Sequence, residues 1–306
     1  MKVVVTPPAF CKSENLKSKL SSMFPNTIYN EKGDYLSESE LIQFLKDADA
    51  AIIGRDPVTK TTLEALPQLK MISKYGVGLD NLDIPSIKEK GVEFVVTTGT
   101  NKRSVAELTL SFMLGLCHRT FIGAERIKQG KWIREGGHDL SGKTVGIIGC
   151  GNIGKEVVHL LKPFGCMIMV YDIEDRSEFC CDQGITQSSF KSLAEKSDVI
   201  TLHVPLTDLT RDMIDEAVLR KMQRASYLIN TSRGPVVNPS ALHKALVSGE
   251  ISGAALDVFC SEPPSDMEFL QLPNLMVTPH IGGNSVEAVE AMGQAAIDNL
   301  VAFLKK

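Results

Sequence analysis

The chain has 306 residues, of which 43% are hydrophobic and 23% charged, and its formal net charge is −4 at pH 7. This length fits two domains, and the composition is that of a globular protein rather than a disordered one. The sequence has no basic block and no apolar run of membrane-spanning length, so we expect neither a nucleic-acid partner nor a membrane. The short apolar run before Pro7 is unlike a secretory signal, which favours a cytoplasmic protein.

The seven cysteines are odd in number and contain no C-x-x-C pair. Cys180 and Cys181 are adjacent, which is poor geometry for a structural zinc site. We therefore predict seven free thiols, as expected in a reducing compartment, and no metal centre.

Ten short runs rich in β-branched and apolar residues predict strands, and helical stretches lie between them. Several runs are almost wholly apolar, as is typical of parallel strands covered on both faces. The alternation of strands and helices predicts an α/β fold with doubly wound parallel sheets. The predicted strands are Lys2–Thr6, Ala50–Gly54, Met71–Lys74, Glu93–Thr97, Thr144–Gly149, Met167–Asp172, Val199–His203, Tyr227–Asn230, Gly253–Val258 and Met276–Thr278.

A long helical stretch divides the strands into two groups. Ser104 and Glu107 have the spacing of a capping box, which predicts a helix start there. Val105, Leu108, Phe112 and Leu116 then fall on one face, and the helix is expected to end near 117–120. A second helix is predicted over Val286–Leu304, and the sequence does not indicate which domain it covers.

A glycine motif follows the strand that begins at Thr144. Gly149, Gly151 and Gly154 form G-x-G-x-x-G, directly before a helix-compatible stretch that opens with Asn152 and Ile153. The first glycine permits a tight turn, the second lets the backbone approach a pyrophosphate, and the third lets helix and strand pack closely. The helix N-terminus offers free N–H groups to the phosphates. The motif therefore predicts a Rossmann-type dinucleotide site; a tight βα turn without a ligand is the alternative.

Asp172 closes the next predicted strand, eighteen residues after Gly154. A carboxylate at this place binds the ribose hydroxyls and repels a 2′-phosphate, so it favours NAD over NADP. Arg176 lies four residues further on and could accommodate a phosphate, which leaves the alternative cofactor open.

Three later segments each place a polar residue after a predicted strand, where open α/β sheets bind ligands. Arg233, Glu262 and His280 are these residues. A guanidinium grips a carboxylate through two hydrogen bonds, and a histidine oriented by a carboxylate can donate a proton. The set suits reduction of a 2-oxo acid. Each residue also has a plainer interpretation: a surface arginine, an exposed turn glutamate and a loop histidine.

At this point the sequence resembles the D-isomer-specific 2-hydroxyacid dehydrogenase family over nearly its whole length. The resemblance rests on segments in the expected order. These are Tyr75–Asp83 (YGVGLDNLD), Asn101–Glu107 (NKRSVAE), Gly130–Trp132 (GKW), Leu140–Gly149 (LSGKTVGIIG), His203–Thr210 (HVPLTDLT), Asn230–Gly234 (NTSRG), Asp257–Phe259 (DVF) and Pro279–Gly283 (PHIGG).

The resemblance implies a role for each site residue. Arg233 would bind the substrate carboxylate with help from the backbone N–H groups of Gly76, Val77 and Gly78, while Glu262 would pair with His280, the proton donor in reduction. Asp257 would hold the nicotinamide carboxamide of NAD. The other residues that would line the cofactor are His203, Val204, Pro205, Thr210, Thr231, Ser232 and Gly282.

The resemblance also implies a domain plan, with the active site in a cleft. A flavodoxin-like substrate domain, 1–98 plus 284–306, would be interrupted by a Rossmann-type NAD domain, 99–283. A homodimer formed through the cofactor domain is usual in the family. An NAD-sensing regulator on the same fold, similar to a transcriptional corepressor, is the alternative to an enzyme.

Within the family the chain looks most similar to phosphoglycerate dehydrogenases, although it has no C-terminal regulatory extension. Arg55 and Lys74 could contact a substrate phosphate, whereas Asp56 would repel one. The small-molecule partner is therefore expected to be a 2-hydroxy or 2-oxo acid, with 3-phosphoglycerate as one possibility.

Overall fold

A computed structural model describes residues 1–305. The chain folds into two compact units. Unit 1 comprises Met1–Ser104 together with the C-terminal residues from Gly283 onward, and unit 2 comprises Val105–Gly282. The first boundary between the units follows Ser104, whereas the sequence-based plan placed it after residue 98.

The described residues form twelve strands. They are β1 Val3–Val5, β2 Thr27–Tyr29, β3 Ala50–Ile53, β4 Met71–Lys74, β5 Glu93–Val96, β6 Thr144–Ile148, β7 Met167–Tyr171, β8 Thr186–Gln187, β9 Val199–Leu202, β10 Tyr227–Asn230, β11 Gly253–Leu256 and β12 Leu275–Val277.

The same residues form fourteen α-helices and two short 3₁₀ helices, Lys162–Phe164 and Gly234–Val236. The α-helices are α1 Pro8–Lys12, α2 Glu14–Met23, α3 Glu38–Leu45, α4 Lys60–Ala65, α5 Ile84–Glu89, α6 Lys102–Cys117, α7 Thr120–Lys128, α8 Asn152–Leu161, α9 Ser177–Gln183, α10 Phe190–Lys196, α11 Glu216–Leu219, α12 Pro239–Ser248, α13 Met267–Leu270 and α14 Val286–Leu304.

Unit 1 contains a parallel sheet in the order β2-β1-β3-β4-β5. This is the flavodoxin-like order. Alternate strand residues serve opposite faces: Val3 and Val5 pack in one apolar cluster with α2 and α14, and Val4 packs in another with α3. The sheet is thus covered on both sides, as its apolar strands require.

Unit 2 contains a parallel sheet in the order β12-β11-β10-β9-β6-β7-β8. Renumbered from β6, its first six strands follow the Rossmann order. The order reverses between β6 and β9, and ligands bind at the carboxyl ends of the strands beside such a point. The predicted α/β class with two doubly wound parallel sheets is confirmed.

All ten predicted strands are present, with bounds within two residues. Most predicted strands run one residue too far at the carboxyl end, although the extra residue often still donates its N–H to a neighbouring strand, as His203 does to the Ile148 carbonyl at 2.8 Å. Two strands were not predicted, β2 and β8. Both lie at an edge of a sheet and are not fully buried, so they lack the apolar run that marked the others.

The predicted capping box at Ser104 is wrong. α6 begins at Lys102, so Ser104 lies inside its first turn and does not cap it. The predicted end of this helix is confirmed, since α6 ends at Cys117. The error arises because the spacing of a serine and a glutamate also occurs within a helical turn.

The predicted helix over Val286–Leu304 is confirmed as α14, and the structure assigns it to unit 1. Its Ser285 cap accepts a hydrogen bond from the Ala288 N–H at 3.1 Å. At Gly293 a Cβ would lie 2.2 Å from Leu16 Cδ1, so glycine is needed for this close packing against α2.

No single helix among residues 1–305 has both the length and the apolar character needed to cross a membrane. α6 and α7 meet that test only as a pair, and the pair is bent by 66°.

Candidate active site

The glycine loop after β6 is shaped by two close backbone approaches. Gly149 has φ +93°, and a Cβ there would lie 2.6 Å from the carbonyl oxygen of His203. A Cβ on Gly154 would lie 2.1 Å from the carbonyl oxygen of Gly149. Both positions therefore require glycine for the fold itself. These contacts join β6, α8 and the end of β9 around one loop.

Gly151 differs from its two neighbours in the motif. It caps α8, and a Cβ placed on it would meet nothing within 4 Å. Asn152 and Ile153 follow it in the first turn of the ten-residue helix, whose N–H groups are available to a pyrophosphate. Open space above a helix N-terminus is what a dinucleotide needs, so this loop fits NAD.

We expect Gly151→Ala to fold normally and to bind NADH at least about ten-fold more weakly, because the added methyl group occupies the space of the pyrophosphate. Gly151 has φ −80°, which alanine adopts without strain. NADH fluorescence titration and thermal unfolding measure the two effects. Gly154→Ala is the contrasting variant, which should lose stability through its backbone clash. Unchanged NADH affinity in Gly151→Ala would contradict this account of the loop.

Asp172 lies directly after β7 and ties it to the glycine loop. Its carboxylate accepts hydrogen bonds from the N–H groups of Cys150 at 2.7 Å and Glu174 at 3.0 Å. Burial opposes ionisation of this carboxyl, but these bonds and the Arg176 charge outweigh it and lower its pKa. Asp172 is therefore ionised at neutral pH, as a ribose-binding carboxylate must be.

Arg176, the residue that left NADP open, is held by acidic neighbours. Its Nε lies 3.4 Å from Asp172 Oδ2, and its guanidinium also pairs with Glu174. Two carboxylates thus compensate its charge, which makes it a poor phosphate ligand in this conformation.

His203 follows β9 beside the loop. Its Nε2 lies 3.0 Å from the Thr201 hydroxyl, and its Nδ1 is buried without a hydrogen-bond partner among residues 1–305. Burial lowers the pKa of His203 to about 3, so its ring is neutral at pH 7. Cys150, inside the loop, is also buried, and burial raises the pKa of its thiol to about 11. Neither group titrates near neutrality.

Several other residues predicted to line the cofactor use their side chains in hydrogen bonds within unit 2. The Thr210 hydroxyl donates to the carbonyl oxygen of Pro205 at 2.6 Å, which closes the turn that follows Val204. The Thr231 hydroxyl lies 3.1 Å from that of Thr109 on α6, and the Ser232 hydroxyl donates to Asn230. These side chains shape the carboxyl edge of the sheet.

Arg233 is held by a turn that begins at Asn230, the last residue of β10. Asn230 Oδ1 accepts from the N–H of Ser232 at 2.9 Å, and its amide nitrogen donates to the Arg233 carbonyl at 2.8 Å. The Arg233 guanidinium donates to the Ser232 carbonyl at 2.7 Å. Sequence reasoning gave Asn230 no role; its place between an apolar strand and a polar turn was the signal.

The next glycine joins the arginine segment to the glutamate segment. A Cβ on Gly234 would lie 2.0 Å from the carbonyl carbon of Phe259, so the two backbones touch. The Phe259 N–H in turn donates to Glu262 Oε1 at 3.1 Å. Arg233 and Glu262 therefore lie beside two backbone segments that pack directly against each other.

Glu262 and His280 form an ion-pair geometry, as the sequence predicted. His280 Nδ1 lies 2.8 Å from Glu262 Oε2 and 3.0 Å from Oε1. Their side chains are 17% and 27% exposed, so the pair is partly buried. A carboxylate on Nδ1 fixes the orientation of the ring and its tautomer.

The backbone of His280 is unusual, since its φ is +56°. Asp257 follows β11 and is 1% exposed. Its carboxylate accepts hydrogen bonds from the Thr278 hydroxyl, two residues before His280, and from the N–H of Ile281, one residue after it. Its donors include the N–H of Gly282, one of the residues predicted to line the cofactor.

The remaining predicted residues belong to unit 1. Gly76 has φ +90° in the turn that continues through Val77 and Gly78. The guanidinium carbon of Arg55 lies 5.1 Å from the centre of the Tyr35 ring. Lys74 is buried and its Nζ donates to the carbonyl of Gly54.

Asp56, expected to repel a phosphate, is fully buried in unit 1. Its carboxylate accepts hydrogen bonds from the Leu36 N–H at 2.8 Å and from the Thr6 hydroxyl. It therefore serves the fold of this unit, a role that adjacency to Arg55 in the sequence could not show.

A Rossmann sheet with a glycine loop, an ionised carboxylate after its second strand and a histidine–carboxylate pair is typical of an NAD-dependent oxidoreductase. Residues 110–282 match the model of the D-isomer specific 2-hydroxyacid dehydrogenase NAD binding domain. A glyoxylate reductase of Korarchaeum cryptofilum is 35% identical over 94% of this chain and 88% of its own length. The chain belongs to the D-isomer specific 2-hydroxyacid dehydrogenase family. Its enzyme class is NAD-dependent D-2-hydroxyacid dehydrogenase, and its cofactor is NAD.

Two further similarities illustrate the range of relatives. A D-3-phosphoglycerate dehydrogenase of Methanocaldococcus jannaschii is 37% identical over 88% of this chain but only 52% of its own length. The structure of a D-lactate dehydrogenase from Aquifex aeolicus, complexed with NAD and lactic acid, has a TM-score of 0.88 at 28% identity and covers 99% of this chain and 96% of that one.

Proposed function

We propose that the enzyme reduces a small, unphosphorylated 2-oxo acid of the glyoxylate or hydroxypyruvate type to the D-2-hydroxy acid. The Glu262–His280 pair is the observation that carries the reaction, because it supplies an oriented proton donor on the same sheet edge as the cofactor loop. The glyoxylate reductase similarity supports the substrate class.

Arg233 binds the carboxylate in this proposal. Its guanidinium is already oriented by the Ser232 carbonyl, so less conformational freedom is lost when the substrate binds. Bound NADH would supply a hydride to the substrate carbonyl carbon, with its pyrophosphate at the Gly149–Gly154 loop.

His280 donates a proton from Nε2 to the carbonyl oxygen as negative charge develops there. Glu262 holds Nδ1 and stabilises the imidazolium form that donates. In the oxidation direction the same nitrogen accepts the proton from the hydroxyl group. The proton thus moves at one atom of the chain, and no metal is needed in the proposal.

A phosphorylated substrate is less well supported by unit 1. Lys74 is buried with its ammonium group donating to the Gly54 carbonyl, and Arg55 stacks on Tyr35. Of the two cations predicted to contact a phosphate, Lys74 thus already uses its ammonium group in a hydrogen bond inside unit 1. This favours the unphosphorylated acids.

NADH oxidation should be measured with glyoxylate, pyruvate, hydroxypyruvate, phosphohydroxypyruvate and branched 2-oxo acids. We expect kcat/KM for glyoxylate or hydroxypyruvate to exceed that for phosphohydroxypyruvate by at least about ten-fold. The reverse order would overturn the substrate assignment. Tight NADH binding without turnover of any acid would instead favour an NAD-sensing regulator.

We further propose a homodimer formed through unit 2. Ile127, Trp132 and Ile133 are exposed by 54%, 80% and 45%, and they lie close together in the sequence of unit 2. Exposed large apolar side chains of this kind are typical of protein interfaces. Sedimentation velocity should show a dimer at micromolar concentration, and Trp132→Ala should weaken it. A wild-type monomer under these conditions would contradict the proposal.

A further inference from the structure

The segment that carries His280 is hydrogen-bonded to one buried carboxylate. Asp257 Oδ1 accepts hydrogen bonds from the Thr278 hydroxyl at 2.6 Å and from the Ile281 N–H at 2.8 Å. Its Oδ2 accepts from the Gly282 N–H at 2.8 Å. The three donors lie two residues before His280 and one and two residues after it, so they bracket the histidine.

The bracketed residue needs such support. His280 has φ +56°, a region that non-glycine residues rarely occupy and that costs conformational energy. The N–H of His280 donates to the carbonyl of Thr278 at 3.0 Å, which closes a very tight turn. A turn of this kind persists only where its surroundings fix it.

Gly282 lets the Asp257 carboxylate lie close to the backbone of the turn, because glycine has no side chain. A Cβ on this residue would lie 2.9 Å from Asp257 Oδ2, closer than real Cβ atoms come. Burial raises the pKa of Asp257, and the hydrogen bonds from Thr278, Ile281 and Gly282, with the charge of His280, act in the opposite direction. All three hydrogen bonds that the structure gives the Asp257 side chain thus come from the turn around His280.

We propose that Asp257 is a positioning residue that sets the backbone conformation of His280, while Glu262 sets the orientation of its ring. This role is additional to the contact with the nicotinamide carboxamide that the family resemblance implies. Oδ2 accepts only one of the three bonds, which leaves acceptor capacity for such a contact. The inference rests on the proposed function of His280 as proton donor.

Three variants test the proposal from both sides of the contact. Thr278→Val removes one donor without touching Asp257, Gly282→Ala inserts a methyl group against Oδ2, and Asp257→Asn places an amide N–H₂ against an N–H donor. We expect kcat to fall about ten-fold or more in each, since a small displacement of a catalytic group is costly. For Thr278→Val, the Kd for NADH should stay within about two-fold of the wild type.

The matched control is Thr62→Val. Thr62 is fully buried in unit 1 and its hydroxyl donates to Glu38 at 3.0 Å, so this variant also loses a buried hydroxyl bond. It should lower the melting temperature without changing kcat. Weaker NADH binding in Asp257→Asn, combined with unchanged kcat in Thr278→Val and Gly282→Ala, would overturn the proposal and leave Asp257 as a cofactor contact alone.

A second measurement does not depend on activity. ¹⁵N-labelled histidine gives ring signals for the six histidines, and comparison with His280→Asn identifies those of His280. In Thr278→Val we expect the His280 signals to shift or broaden while the others stay in place. Unchanged His280 signals would overturn the inference even if the chain reduces 2-oxo acids. If no 2-oxo acid is turned over but the signals shift, the proposed function fails and the positioning role of Asp257 stands.

Discussion

Replacing His280 with asparagine should lower kcat/KM for 2-oxo acid reduction by about 10²- to 10⁴-fold, the range typical of a lost general acid. Asparagine is a better replacement than alanine for this test, because the backbone at this position has φ +56°, which asparagine tolerates better than most residues. The measurement is steady-state NADH oxidation, with NADH affinity determined separately.

NADH affinity should be nearly unchanged in His280→Asn, since the proposed role of the ring is proton donation. Glu262→Gln is a graded control, because glutamine still offers an acceptor to Nδ1 but removes the charge that stabilises the imidazolium. Its kcat should fall less, by about ten-fold. Full turnover in His280→Asn would remove the histidine from the mechanism.

The second large effect is expected at Arg233. Arg233→Ala removes two charge-assisted hydrogen bonds to the substrate carboxylate, each of about 1.5–3 kcal/mol, so kcat/KM should fall by about 10²- to 10⁴-fold. KM should rise and kcat should also fall, because the substrate loses its orientation as well as its affinity. Initial rates over a wide range of substrate concentration separate the two effects.

Arg233→Lys is the matched comparison. It keeps the positive charge but not the fork that binds both carboxylate oxygens, and it cannot reproduce the bond to Ser232 in the same geometry. A lysine variant with wild-type KM and kcat would show that charge alone suffices, contrary to the bidentate proposal.

Much of the fold followed from the sequence because its signals are local. The apolar runs identified ten strands, and the glycine spacing identified the loop after β6. β2 and β8 were missed because short edge strands bury too little to show a pattern. Ser104 was mistaken for a cap because a short pattern does not reveal where the first hydrogen bond of α6 forms.

The contact between Glu262 and His280 was predictable, but the contacts that support the candidate site were not. Glu262 and His280 could be paired from their chemistry, and their contact is present at 2.8 Å. By contrast, the contact of Asp257 with Gly282 spans 25 residues, and that of Gly234 with Phe259 also spans 25. Such contacts depend on which strands become neighbours, which only the assembled sheet shows.

The contact at Gly234 also bears on regiochemistry. The backbone after Arg233 packs directly on that of Phe259, whose N–H donates to Glu262. The backbone that carries the proposed carboxylate ligand is therefore fixed relative to the backbone that supports Glu262. A 3-oxo acid carries its carbonyl one carbon further from the carboxylate than a 2-oxo acid does. A rigid mounting of this kind would therefore discriminate between positional isomers by chain geometry, whatever side chain the substrate carries.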